Sequence, residues 1–135
     1  ITMFGNPLSW FETTGLSANQ RERLKSVIAA YKPRREAIHR GAIFPIGEEP
    51  SGLSWTGFQS HLDASDSGHV VVFRELNDAS SHGFKLNGLN PGVYAFKHAH
   101  GNGQSFEVEV SEDRLVSFSL PGTLNYGFYE YNRKA

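Results

Sequence analysis

The sequence of 135 residues contains no cysteine, which excludes disulfides, thiolate metal sites and a cysteine nucleophile. Proteins on either side of a membrane can lack cysteine, so the compartment stays open. No apolar stretch approaches the roughly 20 residues that span a bilayer, and the first residues lack the basic region of a signal peptide. The formal net charge of −1 provides no field to gather nucleic acid or anionic lipid. We therefore expect neither a nucleic acid nor a membrane as a partner.

The composition is typical of a packed domain. Hydrophobic residues make up 39% of the chain and aromatic residues 13%, and 10 residues are phenylalanine. A chain of this length buries roughly two thirds of its unfolded surface, so it can form a core. Apolar residues begin at Ile1, Met3 and Phe4, whereas a chain terminus is usually polar. We expect an upstream segment of the same polypeptide to cover them.

The first third of the chain predicts an amphipathic helical segment. Ser17 and Gln20 have the spacing of a capping box, in which each side chain bonds the backbone amide of the other residue. Pro33 lies inside the periodic region and removes a helical donor, so we expect a kink or two abutting helices. Gly41 is a natural helix stop. Apolar residues recur on one stripe, which consists of Leu24, Val27, Ile28, Tyr31 and Ile38.

After Gly41 the apolar period changes to that of β-strands. Short runs rich in Val, Phe and Tyr are separated by turn residues. In the runs 105–110 and 116–120, apolar residues alternate with Ser or Glu, so each strand has one solvent-facing side. The run 70–73 is apolar throughout, which indicates a central strand covered on both faces. We predict a mainly β fold, an antiparallel β-sandwich of about eight strands preceded by the amphipathic helical segment.

Five stretches of the chain resemble the carboxy-terminal part of α-galactosidase-like glycoside hydrolases. They are "NPLSWFE" (6–12), "REAI" (35–38), "FPIGEEPSGLSWTGFQ" (44–59), "VVVFREL" (70–76) and "GLNPGVY" (88–94). In those enzymes a (β/α)₈ barrel precedes a β-sandwich. The resemblance implies that residues 1–41 are the last strand, loop and helix of such a barrel, and that residues 42–135 are the sandwich. It also implies that the chain is a fragment of a longer protein.

The resemblance places the catalytic groups outside this chain. Enzymes of this type use two aspartates on barrel strands, one as nucleophile and one as acid/base. Neither role transfers to Asp63, Asp66, Asp78 or Asp113, because none of them stands in a barrel strand. We therefore assign no catalytic residue, cofactor or metal ligand, and we expect no enzyme activity from the chain by itself. The expected partner is the upstream catalytic barrel of the same polypeptide.

Three residues are candidates for binding a carbohydrate. Loops after barrel strands line the active site of that fold, so the resemblance implies that Asn6 and Trp10 approach a terminal sugar. The alternative is that Trp10 packs the barrel end against the sandwich. Trp55 belongs to a set of aromatic residues that either form a platform for pyranose rings or fill the core. The other members of this set are Tyr94, Tyr126, Tyr129 and Tyr131.

His98 and His100 are two residues apart on a predicted strand, which places both on one face. Two imidazoles on one face can share a metal ion. A third ligand would have to come from His61, His69 or His82, and nothing in the spacing selects one of them. The alternative is that His98 and His100 are surface histidines that bind no metal, and we adopt this interpretation.

Three hypotheses about function follow. The first is a non-catalytic carboxy-terminal β-sandwich region of a glycoside hydrolase, which supports the catalytic barrel. The second is a free-standing carbohydrate-binding module with a capping helix, and the third is an independent hydrolase. The first predicts that the stripe from Leu24 to Tyr31 leaves apolar surface open, so that the isolated chain self-associates. The sugar and its linkage stay open under all three.

Overall fold

The computed structural model describes residues 2–5 and 13–135. Within these ranges the helices are α1 (Ala18–Tyr31) and α2 (Arg35–Arg40), with short 3-10 helices at Thr2–Phe4, Thr13–Gly15 and Asp63–Ser65. The strands are β1 (Ala42–Gly47), β2 (Trp55–Leu62), β3 (Ser67–Arg74), β4 (Ser81–Lys85), β5 (Gly92–Gly101), β6 (Phe106–Val110), β7 (Leu115–Ser119) and β8 (Asn125–Arg133).

The strands form two separate sheets. Six of them lie in the order β1-β2-β3-β8-β5-β6, and β4 pairs with β7 in a two-stranded sheet. Every pairing is antiparallel, as expected where short turns join many of the strands. The prediction of a mainly β fold, with about eight antiparallel strands after a helical segment, is confirmed. The first strand begins at Ala42, where the spacing of apolar residues changes from that of a helix to that of strands.

The main core lies between the two sheets. On β6, Val110 is buried, whereas Glu107 and Glu109 are exposed, as the alternation predicts. Phe106 stacks on Phe96 of β5 with ring centroids 4.9 Å apart. Burial of each large apolar side chain gains about 1.5–3 kcal/mol, so this cluster dominates the stability of the fold. Its other large members are Trp55, Phe84, Tyr94, Phe118, Tyr129 and Tyr131.

A second apolar cluster covers the opposite face of the six-stranded sheet. Val71 belongs to this cluster, whereas Val70 and Val72 belong to the main core. All three valines are fully buried, which confirms that β3 is a central strand covered on both faces. The helical segment and the first described residues supply the cover on this side, through Met3, Phe4, Val27, Tyr31 and Ile38.

The helical segment begins and ends where the sequence predicts. Ser17 caps α1 in a capping box with Gln20, with hydrogen bonds of 2.8 and 3.3 Å. The segment divides at Pro33 into two abutting helices, which is one of the two predicted outcomes. α2 ends at Arg40, with Gly41 as its cap residue. Among the described residues, neither helix combines the length and the apolarity needed to cross a bilayer.

Candidate functional site

The helical layer, formed by α1 and α2, is fixed to the six-stranded sheet through α2. Ile38 is fully buried, and its carbonyl accepts a 2.6 Å hydrogen bond from the Ser60 hydroxyl on β2. A side chain at Gly41 would collide with Ser60 and with the carbonyl of His61. The missing Cβ therefore lets the end of α2 lie directly on β2.

Arg34, in the turn between the two helices, connects α1 to β8. Its Nη1 donates a 2.9 Å hydrogen bond to the Ala30 carbonyl, and its Nε lies 3.3 Å from a carboxylate oxygen of Glu130. This ion pair lacks hydrogen-bond geometry, and the Glu130 side chain is 48% exposed. Such a pair adds little stability by itself. Its effect is to position the turn over β8.

His100 on β5 bridges the sheet to α1. Its Nδ1 lies 2.6 Å from the Tyr126 hydroxyl, and its Nε2 lies 3.0 Å from the Ser26 hydroxyl. Burial lowers the pKa of His100, and the neighbouring His98 lowers it further. A neutral imidazole has one donor and one acceptor nitrogen, which suits two hydroxyls that can each donate or accept. The bridge therefore forms without a charged histidine.

His69 on β3 lies on the same face as the helical layer. Its side chain is almost fully buried and stacks on Phe128 with ring centroids 6.0 Å apart. Neither ring nitrogen has a hydrogen-bond partner among the described residues. Burial lowers the pKa of His69 to about 4; Glu130 opposes this shift and Arg34 adds to it. The ring is therefore neutral at pH 7, and acid must charge it inside the fold.

One side of α1 presents apolar surface to solvent. Ile28 is 40% exposed, and Leu24, one turn earlier, is half-buried. Val27 and Tyr31, in contrast, pack against the second apolar cluster. The predicted stripe is thus divided, because only part of it covers the sheet. Leu24 and Ile28 are termed the α1 flank below.

Of the three predicted sugar-binding residues, Trp55 lies in the part of the chain that the structure describes. Asn6 and Trp10 lie outside the described residues. Trp55 is fully buried, and its indole N–H donates a 3.1 Å hydrogen bond to the Ala79 carbonyl. The ring stacks on His82 with centroids 6.0 Å apart. Because protein atoms cover Trp55, no face of its ring is open to a sugar.

The tyrosines of the predicted platform lie on different faces. Tyr94, Tyr129 and Tyr131 are buried in the main core, whereas Tyr126 packs in the second cluster. Alternation along β8 puts Tyr126 and Tyr129 on opposite sides of the sheet. The Tyr131 hydroxyl accepts a 2.8 Å hydrogen bond from the Gln59 amide, and burial raises the pKa of Tyr131. These rings form parts of the two cores and do not assemble into one platform.

His98 and His100 do not share a face, contrary to the prediction. A β-bulge between them shifts the register, so that His98 pairs with Tyr129 and His100 with Phe128. His98 packs edge-on against Tyr129 of the main core, while His100 reaches α1. The extra residue of the bulge interrupts the alternation of side chains. Among the described residues, no group of three or more His, Asp or Glu is arranged for a metal ion.

Two carboxylates hold the loop that precedes β2. Glu75 accepts hydrogen bonds from the amides of Ser54 and Ser51 at 2.8 and 3.3 Å, and the bond from Ser54 is the main cause of its lowered pKa. Glu48 accepts a 2.9 Å bond from the amide of Trp55. The Glu75 carboxylate is therefore held ionised, which does not suit a general acid.

The structure also contains a groove that sequence analysis missed. It lies between β6 and β7, and the residues around it include Asn102, Gln104, Ser117 and Ser119. In the sequence, the two serines look like the ordinary solvent-facing side of a strand. Only the packing of the two sheets brings them near the amides.

The chain was compared with known protein families, curated proteins and solved structures. No family model, curated protein or solved structure matches it.

Proposed function

We propose that the chain is a non-catalytic carboxy-terminal β-sandwich region of an α-galactosidase-like glycoside hydrolase, in which it supports the catalytic barrel. The observation that carries the proposal is the helical layer. It is bonded to the sandwich through Ser60 and Ile38, and it leaves the apolar α1 flank open along its side. A helical layer that is bonded to one domain and has apolar surface open at its side can contact a second domain there.

The attachment on the sheet side suits a rigid support. Phe4 stacks on Phe58 and contacts Phe128 edge-on, with centroids 6.4 and 6.2 Å apart. Together with the buried bond to α2, these contacts fix the layer against the sheet. In our proposal the layer is the last helix of the barrel, so the sandwich holds the barrel at a fixed angle.

The α1 flank supplies the contact with the barrel. Burying one Leu or Ile side chain gains about 1.5–3 kcal/mol, so covering Leu24 and Ile28 would add appreciably to the stability of the joint. The nucleophile and the acid/base belong to the barrel in this proposal. Glu48 and Glu75 keep their role in the loop before β2.

The upstream coding sequence tests the proposal. We expect an uninterrupted reading frame with the alternating strand and helix pattern of a (β/α)₈ barrel. Two aspartates should stand at the ends of its strands. A start codon and a signal peptide directly before Ile1, without a barrel, would contradict the proposal. The free-standing carbohydrate-binding module would then be the better hypothesis.

A further inference from the structure

His69 lies beneath the helical layer, and its ring has no hydrogen-bond partner among the described residues. The residue is 4% exposed, and its ring packs against Phe128 of the second apolar cluster. Buried polar groups in proteins are normally paired. Both imidazole nitrogens of His69 would therefore gain hydrogen bonds if water reached this face of the sheet.

One carboxylate and one guanidinium face the His69 ring. Glu130 lies opposite His69 on β8, and paired residues of neighbouring strands share a face. Arg34 reaches Glu130 from the turn between the two helices, and Lys97 of β5 follows Glu130 in the same row. On the other side, β2 places the uncharged Ser60 opposite His69. Within α1 and α2, every charged residue is exposed, as is the histidine of α2.

A proton on His69 would disturb the contact between Arg34 and Glu130. The Arg34 Nε lies 3.3 Å from a carboxylate oxygen of Glu130, and an imidazolium would be a second cation beside the same carboxylate. It would also be a buried charge, which is costly. Burial lowers the pKa of His69 to about 4, Glu130 opposes this shift, and Arg34 adds to it. The charged ring is therefore more stable where water can reach it.

The helical layer is the covering element with the fewest buried side chains. Ala30 is the buried residue of α1, and Ile38 is the buried residue of α2. The main core lies on the other face of the sheet and contains large rings such as Phe84 and Phe118. Segments with few buried contacts open at a lower free energy than the rest of a fold. Acid should therefore open the layer before it unfolds the sandwich.

From this geometry we infer that protonation of His69 releases the helical layer from the six-stranded sheet while the main core stays folded. The chain thus contains an acid-sensitive joint, and its opening exposes the second apolar cluster. The inference goes beyond the support of a barrel and does not depend on it, because His69, Glu130 and Arg34 all belong to this chain. Each of the two can fail without the other.

Hydrogen exchange followed by NMR tests the inference at about pH 7.5 and about pH 5.0. The protection factor, which is the intrinsic exchange rate divided by the measured rate, is compared for amides of the layer (Val27 and Ile38) and of the main core (Phe84 and Val116). Between these pH values the layer amides should lose about 30-fold in protection, because the opened state binds the proton with the ordinary pKa of 6.5. At about pH 5.0 the core amides should stay at least about tenfold better protected.

His69→Leu should reduce the loss of protection in the layer to below about fivefold. The remainder would come from His100, whose pKa is also lowered and which contacts Ser26 of α1. The matched control is His39→Leu at an exposed position of α2, which should keep the full loss. If the dispersion of the spectrum shows that His69→Leu does not fold, His69→Phe takes its place, since phenylalanine does not titrate and can also stack on Phe128.

Four results would overturn the inference. The first is equal protection of layer and core amides at about pH 5.0, which would mean that the layer opens only with the whole fold. The second is unchanged protection of the layer between the two pH values. The third is a loss above about tenfold in a folded His69 variant, and the fourth is disappearance of the loss in His39→Leu. Either of the last two would assign the proton to another group.

Discussion

The Ser60 hydroxyl on β2 donates a 2.6 Å hydrogen bond to the backbone carbonyl of Ile38 in α2. Both residues are fully buried, so the bond joins the helical layer to the sheet away from water. A buried carbonyl that loses its donor costs about 1–3 kcal/mol. The loss of stability when this bond is removed therefore measures how strongly the helical layer is attached to the sandwich.

Replacing this donor should weaken the fold without destroying it. We expect Ser60→Ala to lower the free energy of unfolding by about 1–3 kcal/mol, measured by urea denaturation followed by circular dichroism. Ser81→Ala, at an exposed position on β4, is the control and should change it by less than about 0.5 kcal/mol. Equal stabilities of the two variants would show that the bond does not hold the layer.

Phe4 should contribute to stability although it stands near the start of the chain. It is 6% exposed and contacts two rings of the six-stranded sheet. Phe4→Ala should cost about 3 kcal/mol, the lower part of the range for buried phenylalanine, because a chain segment can relax around the cavity. Thermal melting checks this, and Phe4→Leu should recover most of the loss.

Deletion of residues 1–16 should leave a domain that melts cooperatively at a lower temperature. Among the residues of this segment that the structure describes, none belongs to the main core, whereas the second cluster loses Met3 and Phe4. Differential scanning calorimetry distinguishes the outcomes. A broad transition without a heat-absorption peak would mean that the second cluster is essential to the whole fold.

Acid should destabilise the protein through His69. Because its folded pKa is about 4 and its ordinary value is 6.5, the unfolded chain takes up the proton first. Stability is therefore lost as pH falls from about 6.5 to about 4, at up to about 1.4 kcal/mol per pH unit. Glu130 and Arg34 face the ring and act in opposite directions, and the lowered pKa of His100 contributes with the same sign.

Denaturation at a series of pH values checks this prediction. His69→Leu should remove most of the loss of stability between pH 6.5 and 4, the two pKa values involved. His39→Leu, at an exposed position on α2, should retain the loss. If both variants lose stability like the unsubstituted protein, another group must bind the protons.

Local patterns predicted most of the fold, because each depends on a few neighbouring residues. The capping box at Ser17 and Gln20, the division at Pro33 and the alternation along β6 all have local physical causes. The apolar run 70–73 also predicted a central strand, since only a strand covered on both faces can bury every side chain.

The sites could not be predicted in the same way, because they depend on contacts between distant residues. The bulge that separates His98 from His100 arises in the pairing with β8. Trp55 is an aromatic residue of the kind that can stack on a sugar. It occupies an inward-facing position of β2, however, and is buried. Asn102 and Ser117 lie around the same groove, although they belong to different parts of the fold. No local sequence pattern shows that they are neighbours.

Self-association tests the central claim, which is that the α1 flank is an interface. In sedimentation velocity the isolated chain should associate with rising concentration, because an uncovered apolar flank favours a second copy as a substitute partner. A control with Ala18→Lys and Ala29→Lys adds the same charge at exposed positions of α1 and should associate in the same way.

Leu24→Lys combined with Ile28→Lys is the decisive variant for this measurement. We expect it to be a monomer at all concentrations with a melting temperature close to that of the unsubstituted chain, because Ile28 is 40% exposed and Leu24 only half-buried. Association that persists in this variant, or a chain that is monomeric before any substitution, would contradict the claim. Unfolding of the variant would also contradict it, since the flank would then be part of a self-sufficient core.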